Sequence, residues 1–192
     1  NSECATKVDM TEFKDNAIVA AHHMRSLFPT TPLQRNAHLS ERFEADIWLK
    51  REDLTPVRSY KIRGAFNAMR KVLGDKPEAS LFVCASAGNH AQGVAFNCQY
   101  FGVTGVIFMP VTTPQQKILK TRIFGGDWVE IRLVGDYFDD TLAAAQAYCA
   151  DEEGHFLAPF DDEDVIEGQA SVAVEIAEKL GHTPDHIVLP VG

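Results

Sequence analysis

The sequence lacks any apolar run long enough to cross a bilayer, and its opening segment, Asn1 to Lys14, has neither the basic start nor the apolar middle of a secretion signal. It therefore reads as cytoplasmic. Positive charge is scarce, with 18 Lys and Arg against 27 Asp and Glu for a net charge of -9. That argues against a nucleic-acid partner, which needs a concentrated basic surface, and favours a small-molecule ligand. Cys4, Cys84, Cys98 and Cys149 show no paired spacing of a metal ribbon or redox motif. Three of them stand in apolar or helical surroundings and read as buried thiols in a reducing compartment. The seven histidines offer no third ligand at a helpful spacing, so no metal site is expected. Internal repeats and low-complexity segments are missing too.

What is present is an ordinary globular composition, 45% apolar and 23% charged, over 192 residues, and a clear alternation of patterns. Apolar residues at helical period predict a helix from Thr11 to Phe28, closed by Pro29. An extended segment follows at Thr30 to Leu33, with a strand pair or hairpin through Glu44, a strand at Asp46 to Lys50 and a helix at Gly64 to Leu73. From there strand and helix alternate. Strands are expected at Leu81–Ala85, Gly105–Met109, Trp128–Leu133, His155–Ala158 and Ile187–Val191. The intervening helices are Asn89–Phe101, Thr113–Phe124, Tyr137–Ala150 and Val165–Leu180. Thr113 is the expected N-cap of its helix, with Pro114 at the first position and Gln116 completing a capping box. The run Asp161 to Asp164 precedes a helix and reads as capping carboxylates, not as a cation cluster. The fold class is α/β, with doubly wound, mostly parallel sheets.

Two stretches carry chemistry. Ser59-Tyr60-Lys61-Ile62-Arg63-Gly64 stands where a strand pattern hands over to a helix, the edge along which α/β proteins keep their crevices. Taken alone, Lys61 also fits an ordinary solvated lysine. Ser86-Ala87-Gly88-Asn89-His90 runs from the end of a strand through small residues into a helix. Small side chains let a ligand approach the backbone there, and unpaired N–H groups at the helix start suit a carboxylate or phosphate. Taken alone, it also fits a plain strand-to-helix turn.

Together the two are far more specific. Lys50 to Leu54, Pro56, Ser59 to Gly64 and Ser86 to His90 stand in an order that resembles the pyridoxal-phosphate enzymes of the tryptophan-synthase β fold, fold type II. Within them it resembles the serine/threonine dehydratase branch, and most closely the biosynthetic threonine dehydratases (threonine ammonia-lyases). The likeness extends to Met109-Pro110 with Pro114 and Lys117, Gly125-Gly126-Asp127, Pro159-Phe160-Asp161 and Gly168-Gln169.

The resemblance implies a two-domain fold: 1–78 as the first part of a large cofactor-lysine domain, 79–158 as a small substrate-carboxylate domain, and 159–192 as a return into the large one. It implies pyridoxal 5'-phosphate as cofactor and a small amino acid as substrate. Lys61 matches the lysine that carries the cofactor and later acts as base at the substrate Cα. Tyr60 matches an aromatic position beside the pyridine ring, and Asn89 the asparagine bonded to the cofactor's phenolic oxygen. Ser86, Ala87, Gly88, Asn89 and His90 match the loop that receives the substrate carboxylate. Desolvation, with nearby cations such as Arg63, would lower the pKa of Lys61.

The implied reaction converts L-threonine to 2-oxobutyrate and ammonia, or L-serine to pyruvate, as in isoleucine biosynthesis. Serine racemases of this fold carry a second serine where Ala87 stands, so elimination ranks above racemisation. The alternatives are a serine racemase or dehydratase, a β-replacement enzyme, and a non-catalytic fragment that binds amino acids. The family's glycine-rich phosphate loop would follow Pro190-Val191-Gly192, with only Gly192 present. The chain thus reads as stopping short of half its cofactor grip, and weak binding by these residues alone is expected. The family's habit also implies a homo-oligomer, dimer or tetramer.

Overall fold

Four parallel strands carry the alternation, β3 (Leu81–Ala85), β4 (Thr104–Met109), β5 (Val129–Leu133) and β6 (His155–Phe156), hydrogen-bonded in the order β5-β4-β3-β6. The structure is a computed structural model, and it describes residues 10–189. Helix α4 (Asn89–Phe101) follows β3, α5 (Gln115–Gly125) follows β4, and α6 (Phe138–Asp151) follows β5. Side chains alternate across a strand, and here both sides find cover. Phe82, Cys84, Ile107 and Met109 pack with Ala91, Val94, Ala95 and Cys98 of α4 and Ile118 of α5. Val83, Ala85, Val106 and Phe108 pack with Ala145 and Cys149 of α6. Burial on both faces is why β3 and β4 read as nearly unbroken apolar runs.

The order of these strands matters for function. β3, β4 and β5 step outward in one direction, whereas α6 crosses back and sets β6 on the other flank of β3. The strand order therefore reverses at the β3/β6 boundary. A crevice outside the carboxyl ends of the strands is expected at such a point.

The remaining elements surround α3 (Lys61–Asp75). Helix α1 (Met10–Met24) and helix α7 (Glu163–Leu180) pack near it, and β1 (Leu33–Arg35) pairs antiparallel with β2 (Trp48–Lys50) around a short helix α2 (Ala37–Phe43). Ala65, Ala68 and Met69 of α3 share the apolar cluster of the sheet and α4, while Ile62 and Phe66 join Met24, Phe28 and Val57 in another.

Several expectations are corrected. α1 ends at Met24, and residues 25–28 continue as turns bonded back to His22, His23 and Met24. α2 occupies part of the segment expected as a hairpin, because Asn36 caps it by accepting from the Leu39 N–H at 2.9 Å. α5 begins at Gln115 with Pro114, not Thr113, at the cap, and no side-chain cap forms. Proline has no N–H to offer, and the Thr113 hydroxyl is buried without a partner. The strand expected from Ile187 is not formed over 187–189, where Ile187, Val188 and Leu189 are exposed. A strand needs a neighbour to take its backbone hydrogen bonds, and none among the described residues does so. The rest of that strand and Gly192 lie outside the described residues. The acidic run does cap, with Asp162 accepting from Val165 N–H at 3.0 Å.

Candidate active site

Lys61 is the first residue of α3, and the start of that helix is fixed by close backbone approach and not by a side-chain cap. Gly93 of α4 lies so near that an added Cβ would stand 3.1 Å from Ile62 Cα, Ile62 N and the Lys61 carbonyl carbon. Asn97, one turn on, donates to the Ile62 carbonyl at 3.1 Å and the Gly93 carbonyl at 2.8 Å. From the other side, Gly168 of α7 admits α3 so closely that a Cβ would meet Arg63 O at 2.5 Å and Gly64 Cα at 2.7 Å. Gln169 then accepts from the Gly64 N–H at 3.1 Å.

So held, Lys61 points its amine at the loop after β6 and donates to the Pro159 carbonyl at 2.7 Å. The Tyr60 ring lies beside it, its centroid 5.5 Å from Nζ. Among the described residues no carboxylate is paired with Lys61, and burial lowers its pKa below that of an ordinary lysine. Desolvation alone does this. Arg63 is not among the causes, its guanidinium being turned to Glu52 and Glu175. A half-buried, unpaired amine of lowered pKa is better supplied with free base at neutral pH than a surface lysine.

The second predicted stretch leaves β3 at the same reversal of strand order. Ser86 N–H donates to the Phe108 carbonyl at 3.0 Å, tying the loop to β4, and Gly88 N–H donates to Ser86 Oγ at 3.2 Å. Gly88 precedes α4 and provides no side-chain cap, so the first N–H groups of that helix remain free for a ligand. A Cβ at Gly88 would meet nothing within 4 Å, which places open space over the loop. Ala87 packs against the apolar cluster, and Asn89 is exposed at the rim.

His90 turns the other way. Its side chain is 3% exposed, and its Nε2 stands 3.0 Å from the Leu157 carbonyl, two residues before the carbonyl that holds Lys61. Burial pushes the ring's pKa down to about 4, the bond to Leu157 opposing this and the charge of Lys61 adding to it. The ring is therefore neutral at pH 7, Nε2 donates, and Nδ1 is a buried acceptor without a partner.

Lys61, Tyr60 and His90 are thus brought together at the loop after β6, and Ser86 to Asn89 line the neighbouring loop. Sequence reasoning missed the Pro159 carbonyl, Gly93 and the buried acid Glu175. The last had a signal, since Val165, Gly168, Ser171 and Glu175 form one buried stripe on α7, and a carboxylate on such a stripe demands a buried cation.

Residues 25–192 match the sequence pattern of a family described as pyridoxal-phosphate dependent enzyme. The chain belongs to that family. It is 45% identical over 186 residues to the biosynthetic L-threonine dehydratase of Bacillus subtilis, covering 93% of this chain and 44% of that protein. With the enzyme of the same name from Lactococcus lactis it is 47% identical over 172 residues, 88% of this chain and 41% of the other. The structure of the processed form of threonine deaminase isoform 2 from Solanum lycopersicum superposes with a TM-score of 0.79 at 35% identity, over 89% of this chain and 46% of that one. Maize serine racemase, 22% identical with a TM-score of 0.80 over 87% of this chain and 50% of that one, shares the fold. The chain spans less than half the length of the curated relatives named here.

The residues present fit the family's cofactor. An unpaired, partly desolvated amine suits capture of an aldehyde, the open loop at Ser86 to Asn89 leaves room beside it, and the aromatic Tyr60 stands at its flank.

Proposed function

We propose that this chain forms the lysine-bearing part of a pyridoxal-phosphate-dependent threonine ammonia-lyase, converting L-threonine to 2-oxobutyrate and ammonia, and L-serine to pyruvate and ammonia, in isoleucine biosynthesis. The observation that carries this reading is the unpaired amine of Lys61, of lowered pKa, set at the reversal of strand order in a chain whose relatives at 45% and 47% identity bear that name. When bound, the cofactor's chemistry is to store the electron pair left at the substrate Cα. Lys61 would hold the cofactor and, once released, would act as base for the Cα proton, a proximity advantage. The loop Ser86-Ala87-Gly88-Asn89-His90 would receive the substrate carboxylate, largely through backbone N–H groups that the loop does not itself use, the Ser86 N–H being tied to β4. Asn89, at the rim, would bond the cofactor's phenolic oxygen, and Tyr60 would flank the ring. Gly192 would belong to the loop that holds the cofactor phosphate. Ala87 has no proton to deliver to the face opposite Lys61, which favours loss of the β-hydroxyl over racemisation.

The same reading divides the chain at 1–78, 79–158 and 159–192, the middle part bearing the carboxylate loop. It expects a cytoplasmic homo-oligomer.

The test is formation of 2-oxo acid from L-threonine and L-serine by the full-length protein with pyridoxal phosphate. Lys61→Ala is expected to lower the rate by about a thousandfold or more, since it removes both the covalent attachment and the base. Undiminished deamination by Lys61→Ala would sink the assignment, and L-serine converted mainly to D-serine would replace it with a racemase.

A further inference from the structure

Arg63 stands two residues after Lys61 in the first turn of α3 and is 0% exposed, yet nothing in the proposed chemistry uses it. Its guanidinium is fully engaged. Nε donates to Glu52 Oε2 at 2.8 Å and Nη2 to Glu52 Oε1 at 2.9 Å, a bidentate fork. Nη1 donates to Glu175 Oε1 at 2.8 Å and to Ser171 Oγ at 3.0 Å, and Nη2 to Glu175 Oε2 at 2.9 Å, a second fork from α7. The Phe28 ring lies 5.2 Å from the guanidinium carbon. Lys50, at the end of β2, donates to Glu175 Oε2 at 2.5 Å and the Thr31 carbonyl at 2.7 Å. Burial would lower the Arg63 pKa, but the bonds to Glu175 and Glu52 more than reverse that. Burial would likewise raise the Glu175 carboxyl, and the bonds from Arg63 and Lys50 hold it below the usual range. Arg63 and Glu175 are therefore held in their charged forms, in a cluster where two basic side chains meet two acidic ones.

Such a cluster is a weak device for stability as such, since apolar residues of similar volume serve a protein interior as well or better. Its distinctive property is geometric. A planar guanidinium gripped by two carboxylates fixes distance and rotation together. Here the grip joins the segment carrying Glu52, helix α3 and helix α7, at the start of a helix that has no side-chain cap. We infer that Arg63, clamped between Glu52 and Glu175, is a positioning residue that sets the height and rotation of the first turn of α3 and so the aim of the Lys61 amine. The inference rests on the cofactor-lysine role proposed above for Lys61. The clamp acts on Lys61 through position, and burial is the cause of its lowered pKa.

The test uses the full-length protein, titrated with pyridoxal phosphate and followed by visible absorbance and induced circular dichroism, with thermal unfolding in parallel. Arg63→Lys keeps the charge and loses the fork. The double variant Arg63→Met with Glu52→Gln removes one charge of each sign, leaving Lys50 and Glu175 balanced. Folded variants are expected to bind the cofactor about tenfold more weakly or worse, with less induced dichroism per bound molecule and a lower kcat at little-changed KM. Wild-type affinity and dichroism in either folded variant would overturn the inference. Should both unfold, Ser171→Ala removes a single acceptor, and cofactor binding about two- to threefold weaker is expected against unchanged binding, which would overturn it. A Lys61→Ala protein that still forms the wild-type band would instead remove the lysine's role and the inference with it.

Discussion

The two halves of the crevice are built on opposite plans. The side that presents Lys61 is a site of crowding: Gly93 and Gly168 let two helices press on the first turn of α3, and a buried cluster of four charges fills the space behind it. The side that presents Ser86 to Asn89 is a site of vacancy, with small residues, no cap and open space over Gly88. An amine that must meet one atom needs a fixed origin, whereas a carboxylate can be received by any suitably directed N–H groups. The difference teaches that glycine serves the two sides for contrary reasons, to admit protein backbone in one and to leave open space in the other.

That contrast can be broken most severely at Gly168. A Cβ there would meet two backbone positions of α3, so Gly168→Ala must move one helix off the other, and a loss of about 3 kcal/mol in denaturant unfolding is expected. Stability within experimental error of wild type would show that the crossing is loose. Next comes His90, the link between the two sides. Its ring has a folded pKa of about 4 against an ordinary 6.5, so between those values the unfolded chain binds more protons than the folded one. Stability is then present in full above pH 6.5 and is lost as the pH falls toward 4, by up to about 3 kcal/mol. His90→Gln, which can still donate to the Leu157 carbonyl, is expected to flatten that part of the profile. An unchanged slope would mean that other groups carry it. The smallest stability effect belongs to Gly88→Ala. The same added methyl meets open space at negative φ, so unfolding is expected to shift by no more than about 0.5 kcal/mol while the apparent affinity for amino-acid substrate falls. A change like that of Gly168→Ala would erase the distinction.

Much of the sheet half was legible in the sequence, because its signals are local. α4 runs from Asn89 to Phe101 as expected, bracketed by Gly88 and by Gly102 in the left-handed region. Likewise, the loop at Ser86 to His90 is marked by its small residues. The lysine half was legible only in part. Lys61 stood out by its company, but α2 hid in a segment expected as extended, and the strand expected after His186 depends on a neighbour that the described residues do not provide. Arg63 was read as a nearby cation that would lower the pKa of Lys61, since its partners in α7 are over a hundred positions away and no pattern of period or spacing points to them. Local order reads from local residues, while compensation of a buried charge does not.

The clamp also has a consequence in time. Arg63 and Glu175 are 112 positions apart, and Lys61 reaches a carbonyl 98 positions further along the chain. Contacts that close so long a loop form late, after the local ones have been made. During synthesis, helix α3 therefore emerges early with a guanidinium matched only by Glu52 and an unaimed lysine, and it waits for the loop after β6 to receive the lysine and for α7 to close the second fork. The Lys61 amine comes into register only when most of this chain has folded around it.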